Sequence, residues 1–66
     1  EGVSTMIAAR AIKVYEFLGD PYGDFVTTVF SMEEAKRLER RLLKRQGVHR
    51  VILKDVKNNI LNRTDK

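Results

Sequence analysis

Apolar residues in the middle of the chain recur at the spacing of an amphipathic helix. At 100° per residue, three of these apolar residues lie within about 60° of one another around the helix axis and form an apolar stripe. These residues are Ala35, Leu38 and Leu42. Ser31 is a favourable N-cap, and Gly47 suits the left-handed position that follows a helix. We therefore predict a helix over residues 32–46 that buries one stripe of its surface.

Segments rich in β-branched and aromatic residues lie on both sides of this helix. Residues 12–18 and 25–30 are separated by turn formers at 19–24, which predicts a β-hairpin with a longer loop. Residues 48–54 and 60–61 predict a third strand and a short fourth strand. The expected fold class is α+β: a small antiparallel sheet with one helix packed on one face, in the order ββαβ(β).

A helix over residues 5–18 is an alternative to the first strand, because apolar residues also recur there at helical spacing. The residues concerned are Ile7, Ala11, Val14 and Leu18. Strand formers favour the hairpin, and Phe17 would lie on the polar side of such a helix. Periodicity alone leaves both interpretations open.

The chain has 66 residues, enough for one domain that buries only about 60% of the surface its unfolded chain exposes. Cysteine is absent, so disulfides cannot stabilise it, and association with another chain is the remaining means. We assign residues 9–62 to the domain and 63–66 to a C-terminal tail. Residues 1–8 are assigned to an N-terminal tail or expression remnant that is partly ordered.

The predicted strands are apolar on both faces, whereas one helix covers only one face of a sheet. Alternation predicts four apolar side chains on the second face, as interface residues. These are Tyr15, Phe17, Val26 and Phe30. A homodimer is the favoured cover, since two-fold dimers are the commonest soluble oligomers. A different protein, the N-terminal segment, or half-exposure on a twisted sheet are the alternatives.

Positive charge is concentrated between Lys36 and Lys54. Eight Lys/Arg residues accompany one acidic residue there, a net charge of +7, while the other residues carry −3 of the total of +4. Segregated charge of this kind bears on partners and association rates rather than on fold.

Four cations of this segment fall on the side of the helix opposite its apolar stripe. They are Arg37, Arg40, Arg41 and Lys44. Such a face can contact a row of phosphates, with Arg50 and Lys54 extending the positive surface. We expect a small nucleic-acid-associated protein, with DNA as the favoured ligand.

Three other interpretations of this charge remain. The cations could form a solvated surface, with Glu33 and Arg37 paired one helical turn apart. They could grip an acidic protein. The chain could also be a protein-interaction module or inhibitor that works through the apolar second sheet face.

Glu39 falls inside the apolar arc of the helix, where a carboxylate needs a partner. It either reaches the edge of the core or meets a cation. Arg45 and Arg50 are the candidates.

Catalytic chemistry is not expected. General acid–base or nucleophilic catalysis needs a base near the operating pH beside a positioned partner, and the chain has one histidine and no cysteine. His49 is assigned as a strand residue, and Asp20 and Asp24 as turn formers too few for calcium. No cofactor and no metal are expected.

No apolar run approaches the roughly 18 residues needed to cross a bilayer. We therefore expect no membrane partner and a cytoplasmic location.

Overall fold

The computed structural model describes residues 11–19 and 21–66 of the chain. Within them lie four strands and one helix. They are β1 (Ile12–Phe17), β2 (Asp24–Val29), α1 (Met32–Leu43), β3 (Arg50–Lys54) and β4 (Ile60–Asp65). The strands form one antiparallel sheet in the order β2-β1-β3-β4. The predicted α+β fold with its ββαββ order is confirmed.

Residues 12–17 form a central strand, so the helical alternative is wrong for this part of the chain. β1 pairs with β2 on one side and with β3 on the other. Its β-branched and aromatic side chains suit a strand that is paired along both edges. The predicted N-terminal tail lies outside the described residues, as does Asp20.

A bulge in β2 changes which of its side chains face the core. Val14 is opposite Thr27, but the next pair joins Tyr15 to Phe25, so Val26 is an extra residue. An extra residue reverses the alternation of the strand beyond it. Val26 therefore packs against the core, and the prediction that it faces the other side of the sheet is wrong.

Helix α1 packs its predicted stripe across the sheet. Ala35 and Leu42 are buried, and Leu38 packs beside them. They meet apolar side chains of β1, β2 and β3 and of the segment before β3. The core residues on that side are Ile12, Val14, Val29, Val48, Val51 and Leu53.

The helix starts as predicted and ends earlier. The Ser31 hydroxyl accepts a hydrogen bond from the backbone N–H of Glu34 at 3.1 Å. The helix ends at Leu43, three residues before the predicted end. The N–H of Lys44 donates to the Arg41 carbonyl at 3.3 Å, and the N–H of Arg45 donates to the Leu42 carbonyl at 3.0 Å. Gly47 follows with φ +98°, as expected for a residue in the left-handed region.

Glu39 attaches the helix to the edge strand β4. One of its carboxylate oxygens accepts hydrogen bonds from Asn62 Nδ2 at 2.7 Å and Thr64 Oγ1 at 2.6 Å. The residue is 5% exposed. The alternative in which Glu39 meets a cation is wrong, because Arg45 pairs with Glu16 and Arg50 pairs with Asp65.

Asp55 organises the turn between β3 and β4. Its Oδ1 accepts hydrogen bonds from the backbone N–H groups of Asn59 at 2.9 Å and Lys57 at 2.8 Å, and Asn58 adopts φ +68°. This turn aligns β4, which runs to Asp65. Residues 63–65, expected in a tail, therefore belong to the sheet.

We predict that Glu39→Ala lowers the free energy of unfolding by about 2 kcal/mol, because the variant leaves the amide of Asn62 and the hydroxyl of Thr64 without their acceptor. Glu39→Gln keeps an acceptor oxygen and should lose less. Urea unfolding of both variants measures the difference. A wild-type midpoint for the alanine variant would show that the carboxylate does not hold the helix.

Acid should loosen the β3–β4 turn. The backbone N–H of Asn59, and then that of Lys57, hold the pKa of Asp55 below its ordinary value of 3.8. A lowered pKa means that the carboxylate stabilises the fold fully above about pH 3.8, and that this stability is lost as the pH falls through the lower folded-state pKa.

Thermal unfolding between about pH 5 and pH 2 tests this linkage. Asp55→Asn keeps an acceptor oxygen but does not titrate, so its melting temperature should fall less steeply with acid than that of the wild type. Asp65, whose pKa is lowered by Arg63 and then by Arg50, remains in both proteins. Identical slopes would contradict the assignment.

Candidate nucleic-acid interface

Four cations form a ridge along the solvent side of α1 and its C-cap. This basic ridge consists of Arg37, Arg40, Arg41 and Lys44. All four residues are exposed, because the apolar stripe and Glu39 fix the opposite side of the helix against the sheet.

The basic ridge has no carboxylate partner within the described residues. The ion pairs found there join Arg45 to Glu16 at 3.5 Å, and Arg50 and Arg63 to Asp65 at 2.8 and 3.2 Å. The expected alternative pairing of Arg37 with Glu33 does not form. The ridge therefore presents four charges that an external anion can neutralise.

A groove of about 360 Å³ runs between the edge strand β2 and the ridge. It is lined by Thr27, Thr28, Val29, Glu34, Arg37, Leu38 and Arg41. Two guanidinium groups one helical turn apart thus share a concave surface with Thr27, which lies opposite Val14 on the face that α1 covers. Arginine and threonine side chains are common donors to phosphate oxygens. Glu34 is the one acidic residue of the groove.

Arg50 and Lys54, predicted to extend the ridge, lie on the other side of the sheet. They alternate with the core residues Val51 and Leu53, so their side chains leave β3 on the face away from α1. The Arg50 guanidinium lies 5.5 Å from the ring centroid of Phe17, and Lys54 Nζ lies 5.0 Å from that of Tyr15.

This second surface, the outer sheet face, combines rings with cations. Register assigns to it Lys13, Tyr15, Phe17, Phe25, Thr28, Arg50, Ile52, Lys54, Ile60, Arg63 and Asp65. Five of these residues are charged and four are cationic. The face is therefore amphipathic rather than purely apolar.

The four predicted interface residues do not share one surface. Tyr15 and Phe17 lie on the outer sheet face, where Phe17 is largely buried. Val26 is in the core, and Phe30 is exposed beyond the end of β2. Self-association through these residues stays a prediction.

Sequence reasoning missed Phe25, Lys13 and Arg63 as members of the outer sheet face. The two-residue alternation of β1 contained the signal for Lys13, since Tyr15 was already placed there. Phe25 reaches this face only through the bulge, which no residue type at this position announces.

His49 contributes through its backbone. Its N–H donates to the Phe17 carbonyl at 3.0 Å, and its carbonyl accepts from the N–H of Lys66 at 2.8 Å. Its side chain is exposed, and the residue lies just before β3 rather than within a strand as expected.

Within residues 11–19 and 21–66, no cluster of three or more His, Cys, Asp or Glu side chains is arranged to hold a metal ion. No helix in the same ranges has the length and apolar character needed to cross a membrane. Comparison with protein-family models, curated proteins and solved structures gave no significant match to this chain.

We predict that Gly23→Ala destabilises the outer sheet face. A Cβ at this position would lie 2.5 Å from Cζ of Phe17, whose ring is 8% exposed and has Arg50 beside it. Overpacking of this kind costs about 1–3 kcal/mol.

Chemical denaturation measures this loss, with Tyr22→Ala in the same loop as the control for an exposed position. A smaller ring-free residue at 17 should relieve the clash, so Gly23→Ala should cost less in a Phe17→Leu background. Equal costs in both backgrounds would contradict the proposed contact.

Proposed function

We propose that the protein associates with nucleic acid, DNA in the first place, and that the basic ridge of α1 contacts backbone phosphates. The observation that carries this proposal is the set of four exposed cations on one side of the helix that have no carboxylate partner within the described residues. Release of condensed counterions from a polyanion is the main source of affinity for such a surface.

The groove beside the ridge supports the same proposal. Arg37 and Arg41 lie at its helical wall, and Thr27 belongs to the opposite wall. A phosphate seated there would receive charged and neutral donors from two elements. The neighbouring phosphates of a backbone would then meet Arg40 and Lys44, which lie outside the groove.

A duplex fits this surface better than a small anion does. The ridge runs from Arg37 to Lys44, which at about 1.5 Å per residue is about 10 Å along the helix axis. Phosphates recur along a duplex at about 3.4 Å per strand, so several fall within this length. A non-enzymatic role and a cytoplasmic location are parts of the proposal and rest on the composition of the chain.

The salt dependence of binding tests the proposal. Each phosphate neutralised on B-DNA contributes about 0.9 to the slope of log affinity against log salt, so four ridge contacts predict a slope of about −3 to −4. Arg40→Ala combined with Arg41→Ala should weaken binding and reduce the slope by about 2. Fluorescence anisotropy of a labelled duplex measures both quantities.

Matched variants distinguish the effect of charge at the ridge from the effect of the protein's net charge. Arg40→Lys combined with Arg41→Lys keeps both charges and should keep the slope. Lys57→Ala removes an exposed cation from the β3–β4 turn and should change neither slope nor affinity by much. Circular dichroism should show all these variants folded, since none of the three positions is buried.

Two results would refute the proposal. One is a wild-type protein that does not bind duplex at low salt. The other is a double alanine variant with the wild-type slope. Equal binding of poly-L-glutamate would favour an acidic protein partner instead.

A further inference from the structure

The outer sheet face carries an exposed aromatic ring in a fixed orientation. Phe25 is 56% exposed although it lies within strand β2. The rings of Phe25 and Tyr15 are in edge-to-face contact, with 5.7 Å between their centroids and 67° between their planes. Tyr15 is in the central strand, so it supports Phe25 from the rigid part of the sheet. A ring so held loses little freedom when a ligand stacks on it.

Two lysines face each other next to these rings. Lys13 and Lys54 are directly opposite in the register of β1 and β3. Like charges directly opposite on one face destabilise a sheet. Lys13 Nζ donates to Asn58 Oδ1 at 2.6 Å, and Lys54 Nζ lies over the Tyr15 ring. Neither lysine forms an ion pair within the described residues, so an external anion would relieve their repulsion.

Rings and cations in alternation match the chemistry of an unpaired strand. A single strand offers the flat faces of its bases for stacking and a phosphate beside every base. A duplex keeps the faces of its bases inside the stack, so Phe25 could not reach them. The bulge in β2 makes this match possible, because it places Phe25 beside Tyr15 and on the same face of the sheet as Lys54.

We propose that the outer sheet face binds single-stranded nucleic acid, with a base stacked on Phe25 and with Lys13 and Lys54 at the adjoining phosphates. Arg63, opposite Ile52 on β4, extends the positive surface, although it shares Asp65 with Arg50. The proposal concerns a different surface from the basic ridge and goes beyond the proposed function of α1.

Charge favours this occupant over a second copy of the chain. In a two-fold dimer the same patch meets itself, so a face that carries Lys13, Lys54 and Arg63 would lie against the same three cations of the second copy. One acidic residue, Asp65, lies on the face, and it is already paired. A polyanion neutralises these cations, whereas a second copy adds to them.

Anisotropy titrations with labelled oligothymidine and oligouridine of about 12 nucleotides test the proposal, since such lengths fall within known single-strand site sizes. Phe25→Leu removes the ring and keeps an apolar side chain, and should weaken binding about tenfold. Phe25→Tyr keeps the ring and should bind within about twofold of the wild type. The ratio of the two oligonucleotide affinities identifies DNA or RNA as the preferred strand.

Tyrosine fluorescence provides a second, local measurement. The chain has two tyrosines, so in a Tyr22→Phe background the emission comes from Tyr15 alone. Oligothymidine should change this emission at the concentrations at which anisotropy shows binding. A complete titration without any change in Tyr15 emission would overturn the proposal.

Four further results would overturn it. The first two are a wild type that binds neither oligonucleotide, and a Phe25→Leu variant that binds as well as the wild type. The other two are an equal affinity of the wild type for poly-L-glutamate, and a dimer in sedimentation that Phe25→Leu converts to a monomer. Contacts of residues 1–10 with the Phe25 ring, seen by NMR in the free protein, would also overturn it.

Failure of this proposal is distinguishable from failure of the ridge proposal. Phe25→Leu should leave duplex affinity and its salt slope unchanged, because the ridge is on the other side of the sheet. Arg40→Ala with Arg41→Ala should reduce duplex affinity and leave the Tyr15 emission change in place. A Phe25→Leu variant that loses duplex and single-strand binding equally would overturn the separate outer-face site.

Discussion

The rotation of α1 about its own axis determines what the helix shows to solvent. Apolar contacts of Ala35 and Leu42 with the sheet fix one side of the helix, and the bonds from Asn62 and Thr64 to the buried carboxylate of Glu39 fix it against β4. A helix held at both places cannot roll without exposing apolar surface or leaving donors unsatisfied. The outward direction of the basic ridge follows from these contacts.

The sheet meets a different constraint, since one helix covers only one of its faces. The chain does not leave the second face as a plain apolar surface. The charged groups of Arg50 and Lys54 on β3 lie over the rings of Phe17 and Tyr15 on β1, in cation–π contacts that cover part of this face. Two surfaces of similar charge but different chemistry therefore lie on opposite sides of one sheet.

Much of this architecture could be predicted from local signals. Ser31, Gly47 and the apolar stripe identified the helix and its solvent side, and the segments 48–54 and 60–61 identified the last two strands. The bulge at Val26 could not be predicted, because it depends on pairing between two strands. The partner of Glu39 was missed for a similar reason: Asn62 and Thr64 lie in a strand that had been expected to end at Leu61.

The strand order also bears on how the chain acquires its structure. The two middle strands, β1 and β3, come from opposite sides of the helix in sequence, and their register joins Val14 to Leu53. Such distant pairing requires closure of a long loop before any contact is gained, which slows folding. During synthesis, the first hairpin and the helix have only half of their sheet until β3 leaves the ribosome. The central pairing of the sheet therefore cannot form until β3 has been synthesised.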